Sequence, residues 1–234
     1  MFDDCTASEQ DKLLFTPGPL TTSFPVKYAM TTDLGSRDVA FIQVIKDVRS
    51  GLLQIAGVSE SEYTTVPIQG SGTFGVESVL SSAVDKHAGV LIIANGAYGM
   101  RMTSICKAHK IPFTVYECPD NMAPSLEKIE MLLKNEAAKH KHVAVVHSET
   151  TSGIVNDVET IGALVHKYGK TFIVDAMSSF GAVPVNFQAG HIDFLVSSSN
   201  KCIEGTPGFS FAICRKTALE ACKGNASSLA LDLY

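Results

Sequence analysis

The chain is short of charge, of closely spaced cysteines and of long hydrophobic runs. Charged residues fill 18% of the 234 positions against 45% apolar, a balance that allows a sizeable core and excludes a disordered chain. Acidic residues outnumber basic ones, 24 to 19, for a net charge of −5. That leaves no cationic footprint, so nucleic acid is not an expected partner. The six cysteines (Cys5, Cys106, Cys118, Cys202, Cys214, Cys222) include no C-x-x-C pair, which argues against a zinc site and a redox motif. No His, Cys or carboxylate set stands at ligand spacing, so no metal is expected. The longest apolar runs, residues 89–94 and 192–196, are far too short to cross a bilayer, and no membrane partner is expected. Met1-Phe2-Asp3-Asp4 is acidic and leads into no apolar stretch, so no signal peptide is expected and the expected location is the cytoplasm. Repeats, linkers and low-complexity tracts are missing too.

What is present is an alternation of strand-like and helix-like blocks, with eighteen glycines to nine prolines suiting tight strand-to-helix turns. Phe41, Val44, Ile45, Val48, Leu52 and Ile55 recur at helical spacing and predict one apolar helix face. Strands are expected at 64–69, 89–94, 112–117, 142–147, 171–174, 193–196 and 209–214, with Pro67 weakening the first. Helices are expected at 72–83 and 98–109, after Ser125 as a cap, and from Asp157 to a stop at Gly169. Near-continuous apolar strands alternating with helices predict an α/β three-layer sandwich, its mostly parallel sheet covered on both faces.

In such sheets ligands bind at the C-terminal strand ends. Those ends hold Gly70-Ser71-Gly72-Thr73, Asn95-Gly96-Ala97-Tyr98-Gly99, His147-Ser148-Glu149-Thr150, Asp175-Ala176-Met177 and Ser197-Ser198-Ser199-Asn200-Lys201. Each has an ordinary reading: a glycine turn, a helix-start tyrosine, a hydrogen-bonded structural histidine, an aspartate cap and a solvated lysine. Together they make an anion cradle at a helix N-terminus, an aromatic plate, an acid ending a buried strand and an amine. Pyridoxal phosphate needs those four: a phosphate cup, a stacking ring, an acid for the pyridine nitrogen and a Schiff-base lysine.

The same segments carry a family resemblance. Leu14-Phe15-Thr16-Pro17-Gly18-Pro19-Leu20, Gln69-Gly70-Ser71-Gly72-Thr73, Asn95-Gly96-Ala97-Tyr98-Gly99, His147-Ser148-Glu149-Thr150-Thr151-Ser152-Gly153, Val174-Asp175-Ala176-Met177-Ser178-Ser179 and Ser199-Asn200-Lys201-Cys202 resemble class V, fold-type-I aminotransferases. The resemblance implies a large pyridoxal-phosphate-binding domain over residues 37–234, preceded by an N-terminal arm and substrate-side loop over 1–36. It implies that Lys201 bonds the cofactor and shuttles the proton, that Asp175 keeps the pyridine nitrogen protonated, and that Tyr98 stacks on the ring. It further implies that Ser71, Gly72 and Thr73, helped by Ser198 and Asn200, hold the phosphate. Thr150 would bond the phenolic oxygen, and Gly18 would line the substrate pocket.

Within the class the residues come nearest the branch whose amino donor is 2-aminoethylphosphonate and whose 2-oxo acid acceptor is pyruvate. Serine or alanine–glyoxylate relatives usually carry tryptophan where Tyr98 stands and glutamine where Asn200 stands, and this chain has no tryptophan. Cysteine desulfurases carry histidine at the stacking position and before the lysine. A phosphonate pocket calls for cationic donors, and Arg37, in Gly35-Ser36-Arg37-Asp38, is the substrate-side candidate; its plainer reading is a pair with Asp38. Family members form homodimers and continue into a small C-terminal domain that supplies an arginine for the substrate acid. This sequence stops at Tyr234 before it, so the expectation is a piece of a longer enzyme or a truncated, inactive homologue that still binds the cofactor.

Overall fold

A computed structural model describes residues 12–234; Cys5 and the acidic start at Met1–Asp4 lie outside the described residues. The chain runs α1 (Phe24–Ala29), α2 (Val39–Ala56), β1 (Tyr63–Gln69), α3 (Gly72–Ala83), β2 (Val90–Ala94), α4 (Ala97–Ala108), β3 (Phe113–Glu117), α5 (Leu126–Lys134) and β4 (His142–Val146). After β4 come β5 (Ser148–Glu149), β6 (Ile154–Val155), α6 (Val158–Lys167), β7 (Thr171–Asp175), β8 (Phe194–Ser198), β9 (Phe209–Arg215) and α7 (Lys216–Ala221). Seven strands form one sheet in the order β1-β9-β8-β7-β4-β2-β3, and β5 and β6 form a small separate ribbon.

Strands β8, β7, β4, β2 and β3 are parallel, as the apolar runs predict. β9 is antiparallel to both β8 and β1, so β1 points the same way as the parallel set. Pro67 therefore sits in an edge strand, where its missing N–H costs least.

Side chains alternate across each strand and feed two cores. Leu91, Ile93, Val143, Val145, Phe172 and Val174 join α2, α5 and α6 on one face. Val90, Ile92, Ala144, Val146 and Ile173 join α3 and α4 on the other. The three-layer sandwich is thus as expected, and four of the cysteines (Cys106, Cys118, Cys214, Cys222) are buried free thiols. One helix face needs correction. Val44 and Ile55 of α2 are 46% and 53% exposed, and the stripe that reaches the core ends in Leu52, Leu53 and Ala56. Ile55 is one position too far round the helix, which the spacing alone did not separate from Leu52. Among the described residues, no helix is long and apolar enough to cross a membrane.

Candidate active site

The ends of β1, β2, β7 and β8 and the start of β9 share one edge of the sheet. They enclose a cavity of about 350 Å³ whose lining includes Ser71, Gly72, Thr73, Tyr98, Asp175, Ser198, Asn200 and Lys201. The size suits a small cofactor-sized ligand.

One wall is the start of α3. Gly70, with φ 131°, turns the chain out of β1, and its N–H donates to the Gly208 carbonyl at 2.9 Å. Ser71 is the N-cap of α3, yet its hydroxyl does not cap the helix. Ser71, Gly72 and Thr73 line the cavity at the positive end of the helix dipole, an arrangement suited to an anion.

The floor is Asp175, 4% exposed. Its Oδ1 accepts the Met177 N–H at 2.9 Å, so the capping role and the cavity-facing position coexist. Burial pushes its carboxyl up from 3.8 to about 6; the Met177 N–H pulls the other way, Glu149 adds to the rise, and Arg101 and Lys201 oppose it. A carboxylate so placed is stabilised by any cation brought against it.

Lys201 follows β8 on the turn into β9. Its Nζ donates to the Gly18 carbonyl at 3.1 Å, which brings the N-terminal loop over the amine. Gly18 is tightly placed: a Cβ there would lie 2.2 Å from Lys201 Cδ. Beside it the Ser198 hydroxyl donates to Asn200 Oδ1 at 2.9 Å.

Tyr98 opens α4 half-buried. The Arg101 guanidinium stands 4.6 Å from its ring centroid and donates to Thr73 Oγ1 at 3.3 Å. Thr150 lies just outside the lining, its hydroxyl 2.5 Å from that of Ser178. Arg37 is exposed and is not part of the lining; the neighbouring Asp38 carboxylate accepts the Gly35 N–H at 2.7 Å. His147 is a buried structural residue, its Nδ1 2.8 Å from the Ser179 hydroxyl.

The lining also holds residues to which sequence reasoning gave no role: Arg101, Met177 and Phe209. Arg101 stands three positions after Tyr98, the spacing of neighbours on a helix surface, and could have been found. Phe209 reaches the site only because β9 reverses direction, which an apolar run does not reveal. As a whole, the site pairs an amine and a buried acid with a flat ring and a helix-end anion cup. That set can hold a planar molecule with a cationic ring and an anionic tail, and it can present an amine to a carbonyl.

A profile of the family described as Aminotransferase class-V matches residues 27–227. The chain is 48% identical to the 2-aminoethylphosphonate–pyruvate transaminase of Salmonella heidelberg (strain SL476) over 228 residues, 97% of this chain and 62% of that protein. It is similar to the crystal structure of ureidoglycine-glyoxylate aminotransferase from Bacillus subtilis, with TM-score 0.88 and 25% identity, covering 99% of this chain and 59% of that one. It is also similar to pyridoxamine-pyruvate aminotransferase from Mesorhizobium loti, with TM-score 0.85 and 27% identity, covering 96% and 58%. The chain spans about three-fifths of the length of these relatives.

Proposed function

The chain belongs to the class-V aminotransferase family, and from that premise we propose that it is the large, pyridoxal-phosphate-binding domain of a transaminase. In this reading the amino group of 2-aminoethylphosphonate passes to pyruvate, giving phosphonoacetaldehyde and L-alanine. The observation that carries it is a single cavity lined by an amine, a buried acid, an aromatic ring and a helix N-terminus. The donor substrate is supported by the 48% identity to transaminases named for it, well above the 25% to the glyoxylate-using structure.

The residues fit the cofactor. A carboxyl raised to about 6 by burial is suited to face a protonated ring nitrogen, and the uncapped start of α3 is suited to a phosphate. When bound, pyridoxal phosphate supplies an aldehyde that takes up amines and a ring that accepts an electron pair. Lys201 would hold it through Nζ, and the same nitrogen would take up and return a proton at the amino-bearing carbon of the substrate. Asp175 would hold the proton at the ring nitrogen. Tyr98 would support the ring face and keep water from it, while Ser71, Gly72, Thr73, Ser198 and Asn200 would bind the phosphate. Thr150, backed by Ser178, would orient the phenolic oxygen, and Gly18 would close the substrate side. Residues 37–234 form the domain in this reading, with the preceding residues as its arm. A second copy of the chain would cover Phe15, Val39 and Leu229, which are 92%, 83% and 97% exposed.

Borohydride trapping tests the assignment. Pyridoxal phosphate added to the protein and then reduced should remain on the peptide holding Lys201, and Lys201→Ala should abolish the attachment. Covalent attachment that persists in Lys201→Ala would overturn it. Alanine formed from pyruvate and 2-aminoethylphosphonate then tests the substrates. Faster turnover of serine or alanine with glyoxylate would move the chain to that branch, and trapping without turnover would leave a cofactor-binding homologue.

A further inference from the structure

Glu149 has no part in the assignments above, yet it is among the most enclosed charged groups of the fold. Its exposure is 0%, and it lies on the two-residue strand β5 rather than on the main sheet. The carboxylate points at the start of α4. Oε2 accepts the N–H groups of Tyr98 and Gly99, both at 3.2 Å, and Oε1 lies 3.4 Å from the Tyr98 N. On the other side Oε1 accepts the Thr151 N–H at 3.3 Å and the Thr151 hydroxyl at 2.9 Å. Thr151 Oγ1 in turn accepts the Ala97 N–H at 3.3 Å.

These contacts replace a normal cap. The N-cap residue of α4 is Gly96, which has no side chain to offer. Glycine is required there because a Cβ would lie 2.3 Å from Glu149 Cγ. The first turn of α4 is therefore satisfied from a different segment, and by a charged acceptor, whose hydrogen bonds are stronger than those of a neutral one. One buried side chain ties the loop carrying Thr150 to the turn carrying Tyr98.

We propose that Glu149 is a positioning residue whose carboxylate fixes the orientation of the Tyr98 ring as a stacking plate for the cofactor. The cofactor part rests on the pyridoxal phosphate reading; the anchoring of α4 does not. In Glu149→Gln one oxygen still meets the Tyr98 and Gly99 amides, while the new amide nitrogen can donate to Thr151 Oγ1 but leaves the Thr151 N–H without its acceptor. Glu149→Ala removes both.

The experiment has two arms. Amide hydrogen exchange needs no ligand: in Glu149→Ala the Tyr98 and Gly99 amides should exchange at least about tenfold faster, as expected for losing bonds to a charged acceptor. Those of Ile92 and Ile93 should be unchanged, and Glu149→Gln should fall between the parent and Glu149→Ala. Unchanged exchange at Tyr98 and Gly99, or acceleration across the whole sheet, would overturn the anchoring role. If Glu149→Ala does not fold, Glu149→Asp, which keeps the charge and shortens the reach, is judged by the same two criteria. The second arm is a double-mutant cycle on pyridoxal phosphate affinity measured by equilibrium dialysis. Glu149→Ala should weaken binding about tenfold with Tyr98 present and under about twofold in a Tyr98→Ala background. Equal losses in both backgrounds would overturn action through Tyr98. A parent protein that binds no pyridoxal phosphate would sink the cofactor reading, and the exchange arm would still decide the anchoring role.

Discussion

With 4% of its surface exposed and one carboxylate oxygen taken by the Met177 N–H, Asp175 loses more by ionising in the folded chain than in the unfolded one. Its folded pKa is raised, from 3.8 to about 6. The folded state therefore holds the extra proton between those values. Stability is full below pH 3.8 and declines as pH rises through about 6, a loss of about 3 kcal/mol at 1.36 kcal/mol per unit. Asp175→Asn keeps the acceptor for Met177 and carries no charge. It should raise the melting temperature at pH 7.5 by several degrees and leave it unchanged at pH 3.5, as thermal unfolding at the two values would show. A gain of equal size at both would mean the carboxylate is not the cause. If the chain acts as the proposed transaminase domain, the same substitution should slow amino transfer, the usual exchange of stability for function. At this scale Asp175, Tyr98 and Lys201 were legible because each follows an apolar strand whose end can be read from composition. Arg101 and Glu149 were not singled out because their importance lies in what they touch: the Tyr98 ring in one case, its backbone N–H in the other.

Elements were legible where periodicity had length to act on. α3 occupies its expected span, and Ser125 and Asp157 cap α5 and α6 through their side chains. α1 has six residues and β5 and β6 two each, too few for either a period of 3.6 or an alternation to register. Tertiary context also reverses a propensity rule. Alanine normally stabilises a helix interior over glycine by about 0.5–1 kcal/mol. At Gly51 of α2 nothing lies within 4 Å of an added Cβ, and Gly51→Ala should raise the melting temperature. At Gly162 of α6 the added Cβ would lie 1.8 Å from the Gly190 carbonyl oxygen. That neighbour is backbone, so Gly162→Ala should destabilise the fold by at least as much as overpacking a core, about 1–3 kcal/mol, and lower the melting temperature. Paired thermal scans with shifts of the same sign would contradict the packing of α6 on residue 190.

For the whole molecule, the α/β class followed from alternating apolar runs, while the strand order did not, since every run reads alike once both faces are buried. Large exposed apolar side chains gather at the two ends of the described sequence: Leu13 72%, Phe15 92% and Val39 83% on one side, Leu229 97% and Tyr234 56% on the other. In the homodimer proposed above, a second copy would cover some of these side chains. Sedimentation velocity should report a dimer at micromolar concentration, with a single exposed change such as Phe15→Ser shifting it toward monomer; a monomer at every concentration would contradict a second copy covering these side chains. The position of β9 between β1 and β8 has a further consequence, in time rather than in space. β1 is made early, yet its partner in the sheet begins about 140 residues later, at Phe209. At ordinary rates of synthesis that is roughly seven to thirty seconds during which β1 has no neighbour to pair with. The strands from β2 to β8 can dock on one another as they emerge. The cavity cannot close until β9 arrives, carrying Gly208 and Phe209 into its wall, so its walls are completed only after the other strands of the sheet have been made.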